Sequence, residues 1–236
     1  MKLSKLRMYV AVAALVVIMF PAFKALAAEP GLIEENGTLH YDNNGELVTN
    51  KCVIKIAVKS KNRYYNIDAD GNVTEWQGSK AYAAERLMKL KAVPDNPQND
   101  KEVQKCLKKA FKWSAKIKFV NISKKISNDS KALEYYGNYG FIRSKGDCNV
   151  QAATFTLMAQ VLGYDAVFVR GLVPQALKKG KPSKFGSHAW VTIKMGKKNY
   201  VFDPNFERTH KKGWKFTYGA KKHYRYFNKK KKELKK

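Results

Sequence analysis

From Asp100 the apolar residues Val103, Cys106, Leu107, Ala110 and Phe111 recur at the i, i+3, i+4, i+7, i+8 spacing of a helix with one buried face. Lys101, Lys105, Lys108, Lys109 and Lys112 fall on the other side and are read as its solvated face. An earlier helix is expected from Ser79, read as its cap, to about Lys91, and Val93-Pro94-Asp95-Asn96-Pro97 breaks the chain between the two. Residues 117–128 fit a helix end or a short strand equally well, and a short helix is expected over Ser130 to Tyr139. Val150, Ala153, Leu157 and Val161 then mark a central helix from Asn149 to Leu162, ended by Gly163. Ala166 to Val173, Ala189 to Ile193 and Asn199 to Phe202 are β-branched or aromatic runs and predict three antiparallel strands. Helices followed by a sheet make the fold class α+β.

The N-terminal part has a different rhythm. Residues 37–49 and 63–75 superimpose with a period of 26, pairing Tyr41 with Ile67, Asp42 with Asp68, Asn44 with Asp70 and Gly45 with Gly71. Each copy carries an Asn-Gly or Asp-Gly step between short alternating runs, the strongest local hairpin signal, so two stacked hairpins are expected. The aromatic-then-Asp-x-x-Gly pattern resembles the wall-binding repeats of Gram-positive surface proteins, in which aromatics of successive hairpins cradle choline or sugar units. His40 and Asn66 stand where one of the tandem aromatics would be, and the alternative is a small β-extension packed on the main domain. Asp68, Asp70 and Asn72 do not make a calcium loop, because glycine comes at the fourth position instead of the sixth and no Glu stands at the twelfth.

Charge and the first residues bear on location. The chain has 46 Lys plus Arg against 19 Asp plus Glu. Lys2, Lys5 and Arg7 precede an apolar run from Met8 to Phe23, and Ala25-Leu26-Ala27 reads as a small-x-small cleavage site, the layout of a secretory signal peptide. An uncleaved anchor is the alternative. Removing residues 1–27 leaves 42 basic and 19 acidic residues, a net charge of +23. Outside the cytoplasm the matching anions are wall polymers and lipid head groups, and no nucleic-acid-binding signature is present. A secreted or cell-surface, wall-associated protein is therefore expected. It would meet a membrane only through its signal segment or surface charge. The tail from Lys211 interleaves lysines with Trp214, Phe216, Tyr218, Tyr224, Tyr226 and Phe227, and residues 229–236 form a lysine-rich end expected to be disordered.

Three cysteines are an odd number for an exported chain. Cys52 and Cys106 lie in apolar periodic surroundings and read as buried hydrophobes. Cys148 follows Gly146-Asp147 and falls in the first turn of the central helix, where free N–H groups and the helix dipole favour a thiolate. Ser187-His188-Ala189-Trp190 opens one strand and Phe202-Asp203 closes the next, joined by a turn at 195–198, so His188 should lie against Asp203. Cys148, His188 and Asp203 are the candidate nucleophile, base and orienting carboxylate. A zinc site from the same residues lacks close ligand pairs.

Gly146-Asp147-Cys148, Ala152-Ala153, Leu162-Gly163-Tyr164, Val169-Arg170-Gly171, His188-Ala189-Trp190 and Phe202-Asp203-Pro204 together resemble the core of the transglutaminase-like superfamily. The resemblance implies a papain-like core, with the Cys-bearing helix packed on an antiparallel sheet, and thiol acyl chemistry on a protein or peptide amide. Its animal branch depends on calcium through segments not found in this sequence, so no cofactor and no metal is expected. The division that follows is a signal peptide at 1–27, a β-hairpin module at 28–78, a transglutaminase-like domain at 79–228 and the tail at 229–236. Within it, the Cys148 backbone N–H and a side chain, with Trp113 the candidate, would form an oxyanion hole, and Trp190 would pack beside the site. The reading from another class is a non-catalytic wall-binding protein that uses the fold as a scaffold.

Overall fold

The computed structural model describes residues 31–178 and 181–209; the expected signal peptide, the tail aromatics and the lysine-rich end lie outside the described residues. Strands β1 (Gly31–Glu35), β2 (Thr38–Asn43) and β3 (Glu46–Leu47) form one antiparallel sheet, and β4 (Lys51–Val58), β5 (Lys61–Ile67) and β6 (Val73–Glu75) form a second. The 26-residue period thus marks two three-stranded sheets. Asn36-Gly37 and Asn44-Gly45 turn with both residues at positive φ, as two-residue hairpin loops require.

Asp70-Gly71 works differently. Only Gly71 is left-handed there, and the loop is shaped by Asp68, whose Oδ1 accepts from the Asp70 and Asn72 amides at 3.0 and 2.8 Å. The Asn72 side chain, which bonds the other oxygen, and these backbone bonds hold the Asp68 carboxyl below its ordinary range. The tight turn of the second sheet is Lys59-Ser60, at φ 46° and 63°, residues that carry no turn signature.

The two sheets bury Tyr65, Ile67 and Val73 together with Leu32, Leu39 and Tyr41, and His40 Nδ1 donates to the Gly71 carbonyl at 3.0 Å. The aligned residues Tyr41 and Ile67 are therefore used in packing sheet on sheet. On the other side, Cys52 and Val53 of β4 join the main core, and the Trp76 indole donates to the Cys52 carbonyl.

Helix α1 (Gly78–Lys89) begins one residue before the expected cap. Gln77 is the N-cap, and the Ser79 hydroxyl instead donates to the Glu134 carbonyl at 3.3 Å, tying α1 to α3. Helix α2 (Asp100–Lys116) is capped by the Asn99 side chain, and all five apolar residues of its expected stripe are buried. The ambiguous stretch resolves into β7 (Lys118–Phe119), paired in parallel with β8 (Lys145–Gly146), followed by residues without regular structure.

Helix α3 (Asp129–Arg143) runs four residues past the expected end, through Gly137 and Gly140. These glycines are contact surfaces. A Cβ at 137 would stand 2.2 Å from Leu157, and one at 140 would stand 2.4 Å from Thr154 and 2.7 Å from Val150. Helix α4 (Cys148–Val161) is thereby buried on nearly every side, surrounded by α1, α2, α3 and the last sheet.

That sheet consists of β9 (Asp165–Lys178), β10 (Lys181–Met195) and β11 (Lys198–Phe202), antiparallel in the order β11-β10-β9, and α5 (Pro204–Thr209) closes the described chain. The architecture is mixed helix and sheet. Among the described residues no helix is long and apolar enough to cross a membrane.

The close approach of α3 to α4 has a testable sign. Helix propensity alone would make Gly140→Ala stabilising by about 1 kcal/mol. The collision with Thr154 and Val150 should instead make it destabilising by about 1–3 kcal/mol. Denaturant unfolding of the variant reads this directly, and a gain in stability would show that the two helices part without cost.

Candidate active site

Three elements meet at the N-terminus of α4. Asp147 caps that helix, its Oδ1 accepting from the amides of Asn149 at 2.9 Å and Val150 at 3.4 Å, while its carbonyl accepts from Gln151. Of the first-turn donors, the Cys148 N–H is the one these bonds do not use. Gly146 has no side chain because Val150 packs on it, where a Cβ would lie 2.4 Å away. Gly-Asp-Cys is thus a close approach, a cap and a thiol in successive positions.

His188 comes from β10, opposite Gly171 of β9. A Cβ at 171 would meet the Trp190 indole at 2.8 Å, so the glycine makes room for a ring that is fully buried, on the same face of the strand as His188. Asp203 comes one residue after β11, where Phe202 is paired with Val191. Gly196, at φ 59°, makes the tight turn between these strands.

Pro204 then takes the first position of α5, where a missing N–H costs nothing. Asp203 caps this short helix, its Oδ1 accepting from the amides of Asn205 at 3.1 Å and Phe206 at 3.0 Å. Its other oxygen, Oδ2, accepts from His188 Nε2 at 2.7 Å. One carboxylate therefore fixes both the start of α5 and the imidazole.

The His188 and Asp203 side chains are 6% and 0% exposed. Phe206 stacks on the imidazole at 4.4 Å between ring centres, and Trp190 lies parallel to it at 6.4 Å. With Nε2 taken by Asp203, Nδ1 is the ring nitrogen left for Cys148, whose thiol is close enough to act electrostatically on His188. Burial by itself would lower the His188 pKa. The charge and hydrogen bond of Asp203, followed by the interaction with Cys148, outweigh it and push the pKa up to about 10.

The structure thus brings together all three residues singled out in the sequence. The other two thiols lie elsewhere: Cys52 is pushed up to about 11 by burial and then by Cys106, and Cys106 is raised by burial too. Both are buried, whereas Cys148 is half-buried. Trp113 is half-buried, stacked on Phe141 with ring centres 5.9 Å apart, and the Arg86 guanidinium lies 4.5 Å over its ring.

Four residues around the site carry roles that sequence reasoning did not assign. Phe206 is the ring on His188. Arg170 bonds the Asp129 carboxylate and the carbonyls of Ile126 and Ser127, pinning the irregular segment after β7 onto β9. That segment starts beside the Cys148 turn, where the Val120 amide donates to the Gly146 carbonyl. Gln151 and Asn205 are buried polar side chains joined at 2.8 Å. The one available signal was a glutamine amid the apolar residues of the central helix.

Residues 96–204 match the family model of the Transglutaminase-like superfamily. The match starts just before α2 and ends one residue after Asp203, so it includes Cys148, His188 and Asp203. No curated protein matches the chain.

The raised His188 pKa fixes a direction for stability. The folded protein holds this proton more tightly than the unfolded chain, whose histidine titrates near about 6.5. The contribution is full below that pH and is lost as pH rises through about 10. The unfolding free energy of the wild type minus that of His188→Gln should therefore decrease from pH 6 to pH 10; a difference constant over that range would refute the assignment.

Proposed function

We propose that this protein is an exported cysteine enzyme that acts on amide bonds through Cys148, His188 and Asp203, on a papain-like core. The observation that carries the reading is a buried imidazole bonded to a buried carboxylate and standing beside a half-buried thiol at a helix start. A transglutaminase-like domain is a setting for cysteine-based acyl transfer or hydrolysis, which supports the same chemistry.

In this mechanism the Cys148 sulfur attacks the amide carbonyl and the C–N bond breaks as His188, protonated at neutral pH, gives its proton to the leaving amine. A thioester remains on Cys148. An incoming amine or a water molecule then attacks the thioester, His188 takes a proton from it, and the acyl group leaves while the thiolate is regenerated. Asp203 keeps the imidazole turned with Nδ1 toward sulfur and stabilises its charge without itself taking the proton. The Cys148 N–H would serve one half of an oxyanion hole. The Trp113 indole is the candidate for the other half.

The export reading rests on the first 27 residues, and the basic surface supports anionic wall polymer as a partner. Lys101, Lys105, Lys108, Lys112 and Lys116 all stand exposed along α2. Binding of the full protein to isolated Gram-positive walls should fall steeply between 0.01 and 0.15 M salt, where the Debye length shrinks from about 30 to about 8 Å. Retention independent of salt would point away from charge and toward specific recognition by the N-terminal sheets.

The reaction itself is read by mass. A Gln-containing peptide incubated with a primary amine should gain the amine with loss of ammonia if transfer dominates, rise by about one dalton on deamidation, or be cut on proteolysis. Cys148→Ser should abolish each of these, because a serine hydroxyl is far harder to ionise. Iodoacetamide should label Cys148 before Cys52 and Cys106, and His188→Ala should slow that labelling. Labelling of Cys148 that is indifferent to His188 would sink the proposal.

A further inference from the structure

The site is crossed by a line of buried amides that the mechanism above does not use. Gln151 lies three residues after Cys148, one turn along α4 on the same side of the helix, and is 0% exposed. Its Nε2 donates to the carbonyl of Ile117, the residue that ends α2, at 3.0 Å. Its Oε1 accepts from Asn205 Nδ2 at 2.8 Å. Asn205 is itself 8% exposed, and its backbone N–H donates to Asp203 Oδ1, the oxygen not bonded to His188. The line therefore runs from the end of α2, through the helix bearing the thiol, to the carboxylate that holds the imidazole.

Its direction is determined. A carbonyl only accepts, so the nitrogen end of Gln151 must face Ile117, its oxygen must face Asn205, and Asn205 must present its nitrogen. Apolar side chains of similar size would fill the same space without the cost of burying two amides. What amides add is a fixed orientation between α4 and α5. The thiol sits at the start of one helix and the carboxylate at the start of the other, whereas the imidazole arrives from a third element, β10. The hairpin of β10 and β11 meets α4 through apolar packing, with Phe202, the neighbour of Asp203, against Phe155. The Gln151–Asn205 bond adds a directional polar link, which reaches Asp203 through the Asn205 N–H.

We propose that Gln151 and Asn205 are positioning residues that set the Asp203 carboxylate, and through it the His188 ring, at the angle at which Nδ1 meets the Cys148 sulfur. The proposal rests on the thiol chemistry argued above for its consequence in rate, but not for its consequence in geometry. Neither residue touches the reacting atoms. Removing either side chain leaves the backbone donors on Asp203 Oδ1 in place but lets α5, which carries them, shift against α4, and misplacement of about 1 Å in such a constellation costs up to about 100-fold.

The test uses Asn205→Ala, Gln151→Met and the double variant Gln151→Met/Asn205→Leu in the full chain. The double variant replaces both partners with apolar groups of similar shape, so it keeps the packing if a single change unfolds the protein. Folding is checked by near-ultraviolet circular dichroism. Two readouts follow: the proton resonance of His188 Nε2–H, whose downfield position reports its bond to Asp203, and the second-order rate of Cys148 alkylation at pH 7. The expected result is a folded variant in which that resonance moves or broadens and alkylation slows by about 10- to 100-fold. Where peptide turnover is measurable, the loss should fall on kcat with KM little changed. Folded variants with the wild-type resonance and alkylation rate would overturn the proposal. If Cys148 is unreactive already in the wild type, the enzyme reading fails on its own, and the His188 resonance alone then decides the positioning role.

Discussion

A carboxylate with no exposed surface is tolerated only when its oxygens are bonded, because the protein interior offers nothing to replace the water it has lost. Asp203 meets this condition with three donors, two from the first turn of α5 and one from His188. The condition also runs the other way. Burial would take the charge from the His188 ring, and it is pushed up chiefly because that carboxylate lies 2.7 Å from Nε2. Each member of the pair makes the burial of the other affordable, and the elements that bring them there are built around keeping the distance short: a tight turn at Gly196, a proline that starts α5, and aromatic rings on the imidazole.

The three cysteines illustrate how the same side chain is given different work by its surroundings. Cys52 and Cys106 sit in the apolar core, where burial opposes ionisation and their sulfur serves as packing. Cys148 stands at the first position of α4, within reach of an imidazolium and of solvent. The difference lies in the neighbours: of the three thiols, Cys148 alone stands beside a histidine and near solvent.

Glycine sets the distances on which this depends. Gly137 and Gly140 let α3 lie against α4, Gly146 lets the chain pass under Val150 immediately before the thiol, and Gly171 lets the Trp190 indole fill the space behind His188. Each is a position where a methyl group would have to displace a neighbour. Together they keep the central helix enclosed on nearly every side, which holds its N-terminus, and the sulfur on it, in one place relative to the sheet.

Much of this was legible in order along the chain. The stripe of α2, the central helix with its glycine stop, the three antiparallel strands and the meeting of His188 with Asp203 follow from local periodicity and from a hairpin that sets the start of one strand beside the end of the next. Those features depend on neighbours along the chain or across one hairpin, whereas Cys148 reaches the pair from 40 residues upstream through the packing of α4 on the sheet. Other features were decided only by the tertiary structure. The helix expected to end at Tyr139 continues past Gly140 because that glycine lies against α4, and Ser79 reads as a cap until its hydroxyl is seen on Glu134. Lys59-Ser60 reads as nothing, because a turn closed by the pairing of its strands needs no turn residues. The bond between Gln151 and Asn205 joins positions 54 residues apart, and no local pattern encodes a partner at that distance. Short-range physics wrote the elements and the order of the reactive residues; the docking of α5 onto α4, a long-range packing event, set the angles between them.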